Sequence, residues 1–348
     1  MSALRASEVD PRPVVALGVE GAPRLALSVV IPLYNEEDNV DLAVAEVLGV
    51  LDSMPEPAEL ILVDDGSRDA TLALARSWAE RDGRVRVIAF RRNFGQTAGI
   101  SAGFDHARGA VVIVLDGDQQ NDPADIPRLL QAMGEGYDVV SGWRARRQDT
   151  YLLRRLPSKV ANALISAVTG VKLHDYGCTL KAYDAAVVRN LHLYGELHRF
   201  IPALAVMSGA KVLELPVNHR PRTRGVSKYG ISRLPRVLLD LLTVKFLLAY
   251  LQRPMQFFGR LAGACLAGGA LRLVAVEAAA ALRSGAGSGD GSTKRRHVGV
   301  SAVLGAAAVQ FLCFGLIGEL LTRVYHEGTA RRPYAIRSTV GFDDEGAR

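Results

Sequence analysis

The stretch AVVIVLDGD, residues 110–118, runs six apolar residues directly into two aspartates separated by one glycine. An apolar run of this length, rich in valine and isoleucine, predicts a strand that is buried on both faces. Such strands lie inside parallel sheets, which bind ligands at the carboxyl ends of their strands. Two neighbouring like charges at that position are electrostatically unfavourable, so they indicate a function rather than a structural need.

Strand and helix patterns alternate on the N-terminal side of this stretch. This alternation predicts an α/β fold with a mostly parallel sheet and right-handed crossovers. The predicted strands are Leu25–Leu33, Leu60–Val63, Val85–Ala89 and Ala110–Leu115, and the predicted helices are Asn35–Leu51, Thr71–Arg81 and Thr97–Arg108.

Acidic residues follow three of these strand ends, at Glu36, at Asp64-Asp65 and at Asp116-Gly117-Asp118. Aspartate and asparagine also cap helices that begin after strands, which accounts for Asp69 or Asn35. Capping does not account for an Asp-x-Asp pair that closes an apolar strand. The acidic pair therefore predicts a ligand site.

The segment from Asp116 to Gln120 has the chemistry of a divalent-cation site. Mg²⁺ and Mn²⁺ take oxygen ligands and are often shared with substrate phosphates. Asp116 and Asp118 can present carboxylates to one ion, Gln120 can add an amide oxygen, and Gly117 lets the backbone approach closely. The ion would neutralise a leaving diphosphate. We therefore predict Mg²⁺ or Mn²⁺ as the cofactor.

Positive charge is concentrated in one window of the chain. Residues 220–260 contain nine basic residues and one acidic residue, a net charge of +8, whereas the whole chain carries +6. A basic belt beside apolar segments suits an anionic membrane surface or phosphate groups. No aromatic-interleaved or helical recognition motif accompanies the charge, which argues against nucleic acid as a partner. Three cysteines without paired spacing argue against a disulfide framework or a zinc site.

The C-terminal part of the chain contains two long apolar segments. Phe257–Leu282 includes three charged residues, whereas Val298–Ile317 has 20 residues and no charge, enough to span a bilayer core. A helical hairpin buried in a larger soluble fold is the alternative, but no remaining segment could cover it. The predicted organisation is a flexible leader at 1–24, a catalytic domain at 25–232, an interfacial amphipathic helix at 233–256, two transmembrane helices at about 257–282 and 298–321 within 257–322, and a cytoplasmic tail at 323–348.

Two spans place both of their flanks on one side of the membrane. The basic belt and four arginines of the tail mark that side as cytoplasmic, although Lys294-Arg295-Arg296 on the other side opposes this count. We therefore expect a multi-pass protein of the cytoplasmic membrane that has its catalytic domain in the cytoplasm and the lipid bilayer as a partner. Gly259-x-x-x-Gly263 permits close helix packing and makes a homo-oligomer a candidate.

Several motifs together resemble the family-2 glycosyltransferases with a GT-A fold. They are SVVIPLYNEE (28–37), LVDDGS (62–67), RRNFGQ (91–96) and DGDQQ (116–120). The resemblance covers the chain from about Leu25 onward and implies a Rossmann-like nucleotide-binding half. It implies that the metal and the diphosphate are held by Asp116, Asp118 and Gln120. It also implies that the nucleoside of the donor is held by Pro32, Tyr34, Glu36, Val63 and Asp65.

Motifs in the second half resemble the polyprenyl- and dolichyl-phosphate sugar synthases of that family. They are DYGCTLK (175–181), GELHRFIP (195–202), RxxGxSKY (222–229) and GELLTRVY (318–325), and the Gln-x-x-Arg-Trp signature of processive polysaccharide synthases is absent. The implied reaction moves one sugar, with inversion, from a nucleotide-sugar of the GDP-mannose or UDP-glucose type. The implied acceptor is a polyprenyl phosphate.

A phosphate acceptor changes which catalytic groups are needed. A phosphate monoester has a second pKa of about 6 and is largely dianionic at pH 7, so it needs positioning rather than deprotonation. Arg222 and Lys228 are suited to clamp phosphates, and Arg144 could join them. Together with Asp118 and Glu196, Arg222 and Lys228 form the candidate catalytic set.

Glu196 has several readings. It can hydrogen-bond sugar hydroxyls, orient Arg199, or simply favour a helix N-terminus. If the acceptor were instead a hydroxyl of a glycolipid or glycan, Glu196 would be the general base. A third hypothesis is a non-catalytic, transferase-like membrane scaffold.

Overall fold

The computed structural model describes residues 25–145, 162–163, 165–167, 169–189, 191, 193, 195–221, 254–283, 291–327 and 332–342. The predicted leader at 1–24, most of the predicted interfacial helix, Arg222 and Lys228 lie outside these residues. The chain forms two compact units, one made of residues 1–244 together with 332–348 and the other of residues 245–331.

The first unit is built around one eight-stranded sheet. The strands are β1 (Leu27–Leu33), β2 (Ala58–Asp64), β3 (Val85–Phe90), β4 (Val111–Val114), β5 (Val139–Trp143), β6 (Lys181–Asp184), β7 (Val212–Pro216) and β8 (Ile336–Val340). Their order across the sheet is β7-β5-β6-β4-β1-β2-β3-β8. The helices of this unit are α1 (Val40–Asp52), α2 (Thr71–Arg81), α3 (Gln96–His106), α4 (Ile126–Gly134), α5 (Ala185–Arg189) and α6 (Ile201–Met207).

The predicted parallel core is present at the centre of the sheet. β1 pairs in parallel with both β2 and β4, and β2 pairs in parallel with β3. Each predicted strand and helix of this half is found, with ends that differ by a few residues; α1, for example, begins at Val40 rather than Asn35. The sheet becomes mixed at its flanks, because β6 is antiparallel to both β4 and β5, and β8 is antiparallel to β3. The expected α/β GT-A-type sheet is therefore confirmed.

The residues that we expected in a tail after residue 322 have a different structure. The last helix continues to Glu327, and Ile336–Val340 then forms β8 at the edge of the catalytic sheet. Tyr334, just before β8, stacks on Phe90 and donates a hydrogen bond to Asp105 at 2.6 Å. The sequence of β8 (IRSTV) is too short and too polar to predict a strand. The strand is stabilised by its pairing with β3 rather than by its own apolar pattern.

The second unit is a hairpin of two long helices, α7 (Pro254–Arg283) and α8 (Gly291–Glu327). Met255–Ala275 and Gly299–Gly318 are each apolar and long enough to cross a bilayer, with mean hydropathies of 1.3 and 2.2. Only 11% of each span is buried within the protein, so apolar side chains face outward. The first apolar span ends before Glu277, so one of the three charged residues of the predicted transmembrane helix lies outside this span, although still within α7. A Cβ added at Gly259 or Gly263 would meet nothing within 4 Å, and a homo-oligomer stays a prediction.

A buried ion pair fastens the edge of the catalytic sheet. Glu59 in β2 and Arg86 in β3 are 2% and 4% exposed and pair with each other. Arg86 also donates to the carbonyls of His106 and Gly341, at 3.2 Å each, and lies over the Phe342 ring. The pair thus joins β2, β3, the end of α3 and the segment that follows β8.

Replacing Arg86 by methionine should strongly destabilise the catalytic unit, because Glu59 would remain buried without its cation. We expect a loss of about 3–5 kcal/mol in the free energy of unfolding. Arg84→Met is the matched control, because Arg84 pairs with Asp52 and Asp82 at a more exposed position and should cost about 1 kcal/mol or less. Thermal unfolding of the detergent-solubilised protein measures both, and equal losses would contradict the assignment.

Candidate donor-binding and transfer site

Asp116 and Asp118 lie just beyond the carboxyl end of β4, where the chain turns away from the sheet. Leu115 still donates a backbone hydrogen bond to Val30 of β1, so both carboxylates follow directly from the parallel core. Gly117 lies against β1, and a Cβ there would be 2.5 Å from a methyl carbon of Leu33. The turn is completed by the backbone N–H of Gln120, which donates to the Asp118 carboxylate at 3.2 Å. A side chain at position 117 would therefore displace the buried Leu33 side chain.

The Asp116 carboxylate is held by residues from two other elements. The amide nitrogen of Gln96, at the start of α3, donates to it at 2.8 Å, and the Thr179 side chain also bonds it. Removal from water, and next the charge of Asp118, raise the pKa of Asp116 to about 6. The two carboxylates are thus close enough to repel each other, and a cation between them would relieve this repulsion.

The residues present fit a divalent cation that is shared with a substrate. Among the residues that the structure describes, no group of three or more His, Cys, Asp or Glu side chains could surround an ion. A two-carboxylate site suits Mg²⁺ or Mn²⁺ when phosphate oxygens and water supply the other ligands. The backbone of Gln120 is engaged, its N–H with Asp118 and its carbonyl with the Arg220 amide at 3.0 Å. Its predicted role as an amide ligand stays a prediction.

Two cations lie near the acidic pair. Arg144, just after β5, forms a bidentate ion pair with Asp175, with distances of 2.7 and 3.0 Å. Lys181, at the start of β6, is 2% exposed and donates to the carbonyls of Cys178 and Tyr176. Both cations favour the ionised form of Asp116, while burial lowers the pKa of Lys181 itself. The negative charges of Asp116 and Asp175 thus lie close to the positive charges of Arg144 and Lys181.

A separate cleft lies at the carboxyl ends of β2 and β3. It is lined by Tyr34, Asp64, Gly66, Ser67, Arg68, Leu72, Phe90, Arg91, Arg92, Asn93 and Arg337. Gly66 has φ of +70°, and a Cβ there would be 2.5 Å from the backbone of Arg92, so only glycine lets the two walls approach. The polar walls and the ring of Tyr34 can accommodate a nucleoside.

Asp65 shapes this cleft from behind. Its two carboxylate oxygens accept the backbone N–H groups of Phe94 and Gly95, at 2.6 and 2.9 Å. Burial raises the pKa of Asp65, while these two hydrogen bonds lower it. Asp65 therefore fixes the Arg91–Gly95 loop, and the neighbouring Asp64 is the aspartate that lines the cleft.

The other residues expected at the nucleoside differ in placement. Tyr34 lines the cleft. Val63 is fully buried and, with Pro32, packs near Gly99 of α3, so it supports the cleft from within the sheet. Glu36 lies in the turn that leads into α1, where its carbonyl accepts the backbone N–H groups of Asn39 and Val40. Of the five, the structure brings one side chain into the cleft, one into the loop behind it, and three into the supporting framework.

Glu196 stands at the start of a short 3-10 helix, Leu197–Phe200. His198 in this helix forms a 2.7 Å hydrogen bond with Thr97, the residue next to Gln96. The segment that carries Glu196 is therefore anchored to the same end of α3 that holds Asp116. Its predicted contact with the sugar stays a prediction, and the hydrogen bond of His198 supports the helix.

Arg220 connects the acidic turn to the start of the basic segment. Its guanidinium pairs with Glu46 and Asp122, both at 2.8 Å, and its amide bonds Gln120. Asn218 and His219 also bond this region, through Asp125 and Asn121. Arg222 and Lys228 follow Arg220 in the sequence by two and eight residues, and lie outside the described residues.

Comparison with known proteins agrees with this arrangement. Residues 28–191 match the family model described as glycosyl transferase family 2. The chain is 44% identical over 325 residues to dodecaprenyl-phosphate galacturonate synthase of Rhizobium johnstonii, covering 92% of this chain and 94% of that protein. The chain belongs to the family-2 glycosyltransferases. This glycosyltransferase is also 38% identical to undecaprenyl-phosphate 4-deoxy-4-formamido-L-arabinose transferase of Edwardsiella ictaluri, over 90% of its own length and 94% of the relative's.

Solved structures share the fold of this glycosyltransferase. Mannosyl-3-phosphoglycerate synthase from Rubrobacter xylanophilus superposes with a TM-score of 0.51 and 16% identity, over 64% of this chain and 74% of that one. Glucosyl-3-phosphoglycerate synthase from Mycobacterium tuberculosis, in complex with Mn²⁺, UDP and phosphoglyceric acid, gives a TM-score of 0.49, 19% identity and coverages of 64% and 78%. The similarity to the Rubrobacter protein, with its TM-score of 0.51, agrees with a catalytic sheet of the GT-A type.

Several residues that contact or line these sites were not singled out from the sequence, among them Gln96, Asp175, Lys181 and Arg337. Gln96, Asp175 and Lys181 lie within quoted motifs, but nothing in their spacing shows that they approach Asp116 or Arg144. Arg337 lies far along the chain and reaches the cleft only through the pairing of β8 with β3. Long-range pairing of the sheet was the missing information.

Gln96→Ala should lower turnover by about 10- to 100-fold, because the Asp116 carboxylate would lose the donor that orients it. In the Gln96→Ala variant, the Mg²⁺ or Mn²⁺ concentration needed for half-maximal activity should rise. A titration of initial rate against metal concentration measures it. Gln131→Ala, at an exposed position of α4, is the control and should titrate like the wild type; a wild-type metal titration for Gln96→Ala would overturn the role.

Proposed function

We propose that this glycosyltransferase transfers a single sugar from a nucleotide-sugar to a polyprenyl phosphate, at the cytoplasmic face of the membrane. The observation that carries the proposal is an acidic turn, Asp116–Asp118, at the carboxyl end of β4 with the guanidinium of Arg144, anchored by Asp175, near enough to influence Asp116. The two relatives named above both carry a polyprenyl phosphate in their names, which supports the acceptor. The two apolar helices support access to a lipid substrate.

The reaction needs one displacement. An oxygen of the acceptor phosphate forms a bond to the anomeric carbon, the bond from that carbon to the donor diphosphate breaks, and the nucleoside diphosphate departs with its electron pair. Attack opposite the leaving group inverts the anomeric centre. The acceptor is ionised at neutral pH, so no side chain has to remove a proton from it. Positioning and relief of charge repulsion are the tasks left to the protein.

The residues divide these tasks. Asp116 and Asp118, with Gln120 as a third candidate, would hold Mg²⁺ or Mn²⁺ against the donor diphosphate, and the ion supplies charge neutralisation when bound. Arg144, fixed by Asp175, would donate to a phosphate oxygen of the substrate. Arg222 and Lys228 would hold the acceptor phosphate, and Tyr34 with Asp64 the nucleoside.

Chain connectivity supports a catalytic unit that lies wholly on one side of the membrane. Residues 245–331 leave the catalytic unit and residues 332–348 rejoin it, with β8 paired to β3. Two crossings return the chain to the side that it left, as this pairing requires. The basic belt then places that side in the cytoplasm, where nucleotide-sugars are supplied.

The identity of the sugar is tested by a donor panel. A GDP-mannose or UDP-glucose type donor remains our proposal, and the names of the relatives add galacturonate and 4-deoxy-4-formamido-L-arabinose as candidates. Membranes that contain the protein are incubated with each labelled donor, Mn²⁺ and undecaprenyl phosphate. We expect label in the organic extract for one donor; transfer only to water-soluble or glycan acceptors would end the proposal.

Asp118→Ala should abolish formation of the labelled lipid, because one carboxylate alone cannot hold both the ion and the diphosphate in place. We expect a loss of at least about 1000-fold in rate, comparable to removing a main electrostatic group of an active site. Glu135→Ala is the matched control, because Glu135 is an exposed carboxylate at the end of α4, away from the predicted ion. Unchanged thermal unfolding of Asp118→Ala excludes misfolding, and retained transfer would refute the metal assignment.

Glu196→Gln separates the two acceptor classes. With an ionised phosphate acceptor the variant keeps the hydrogen-bonding shape, so we expect a rate loss of about tenfold or less. With a hydroxyl acceptor the general base is lost, and a loss of about 100- to 10,000-fold follows. The rate of lipid-linked product formation decides between them, and the larger loss would favour the glycolipid or glycan acceptor. A protein that binds no nucleotide in the presence of metal would instead revive the scaffold hypothesis.

A further inference from the structure

The segment that follows the membrane helices reaches into the cleft of the catalytic unit. Arg337, the second residue of β8, lines the cleft together with Tyr34, Asp64, Arg91 and Arg92. Its position is set by the sheet, since Ile336 pairs with Phe90 at the carboxyl end of β3. A residue from the far end of the chain thus completes a site that is otherwise built from the first hundred residues.

The attachment of this segment is extensive. The Arg91 amide donates to the carbonyl of Ala335 at 3.0 Å, and Arg76 of α2 donates to the Ser338 hydroxyl at 2.7 Å. Tyr334 is buried against Phe90. These contacts hold β8 on the same elements, β3 and α2, whose ends form the cleft. The backbone that carries Arg337 is therefore fixed relative to the cleft walls.

The distance across the sheet shows which part of a donor Arg337 can meet. Four strand spacings separate β4 from β8, in the order β4-β1-β2-β3-β8. At about 4.8 Å per spacing the separation is about 19 Å. A diphosphate held beside Asp116 and Asp118, just beyond β4, is therefore too far away for Arg337. The end of the nucleotide that lies over β2 and β3 is its base.

We infer that Arg337 is a specificity residue that reads the nucleobase of the donor. A guanidinium offers only hydrogen-bond donors, in a planar fork, whereas the Asp64 carboxylate in the same cleft is an acceptor. Such a pair suits a base that presents carbonyl oxygens beside an N–H group, as uracil and guanine do. Cytosine and adenine have an acceptor nitrogen where uracil and guanine have that N–H group, so this nitrogen would face the Asp64 carboxylate with no proton between them. The inference rests on the proposed function, because it takes a nucleotide-sugar as the substrate.

The test is calorimetric binding of UDP, GDP, CDP and ADP to the full-length protein in detergent with Mn²⁺. We expect the wild type to bind UDP or GDP at least about tenfold more tightly than CDP and ADP. Arg337→Ala should lose about tenfold in affinity for the preferred nucleotide and leave the two weak ones unchanged. Arg337→Lys keeps the charge but not the fork, and should lose most of the discrimination. In turnover assays, Arg337→Ala should raise KM for the donor at an unchanged kcat.

Thr339→Ala is the matched control, because Thr339 is exposed, lies on the same face of β8 and does not line the cleft. Wild-type discrimination in Arg337→Ala overturns the inference. So does an equal loss for all four nucleotides and for pyrophosphate, which would indicate a phosphate contact. Equal losses in Arg337→Ala and Thr339→Ala would show that β8 has a structural role only. Failure of the proposed function appears elsewhere, as a wild type that binds nucleotide but forms no lipid-linked sugar.

Discussion

Parallel pairing of β1 with both β2 and β4 is the constraint on which the site depends. It brings the carboxyl ends of three buried strands to one edge, where each strand is followed by acidic residues. The strands themselves are apolar and almost wholly buried, so the polar groups of the site cannot move without disturbing the core. This placement favours cation binding, since partial burial and the mutual repulsion of the carboxylates make their charged forms unfavourable without a cation.

The polar groups around this edge form successive layers of support. Gln96 orients Asp116, Asp175 orients Arg144, and Asp65 ties down the loop at the end of β3. None of these supporting groups has to touch a substrate to matter. Each holds a flexible side chain or loop in a single arrangement. This lowers the entropy cost of ordering these groups when a substrate binds. An enzyme whose acceptor is already ionised needs this kind of positioning more than it needs a general base.

Local sequence patterns were sufficient for the parallel half of the sheet and for the two apolar helices. Apolar runs such as AVVIVL (110–115) carry their own signal, because burial on both faces demands it. Antiparallel β6 and edge strand β8 carry no such signal, since they are short and are stabilised by partners far away in the sequence. The acidic turn at Asp116–Asp118 was predictable because its residues are contiguous, and its role in metal binding stays a prediction. The ion pair of Arg144 with Asp175 was not, because it depends on how two loops meet.

The antiparallel pairing of β8 with β3 has a consequence for how the protein is made. Until β8 emerges from the ribosome, the outer edge of β3 has no strand on that side, and an unpaired edge is a template for unwanted association. At usual rates of synthesis this interval lasts on the order of tens of seconds. Both apolar helices are made during it and can enter the bilayer first. Attachment to the membrane would then hold neighbouring nascent chains apart while the sheet waits for its last strand, so insertion would act as a safeguard against aggregation during biogenesis.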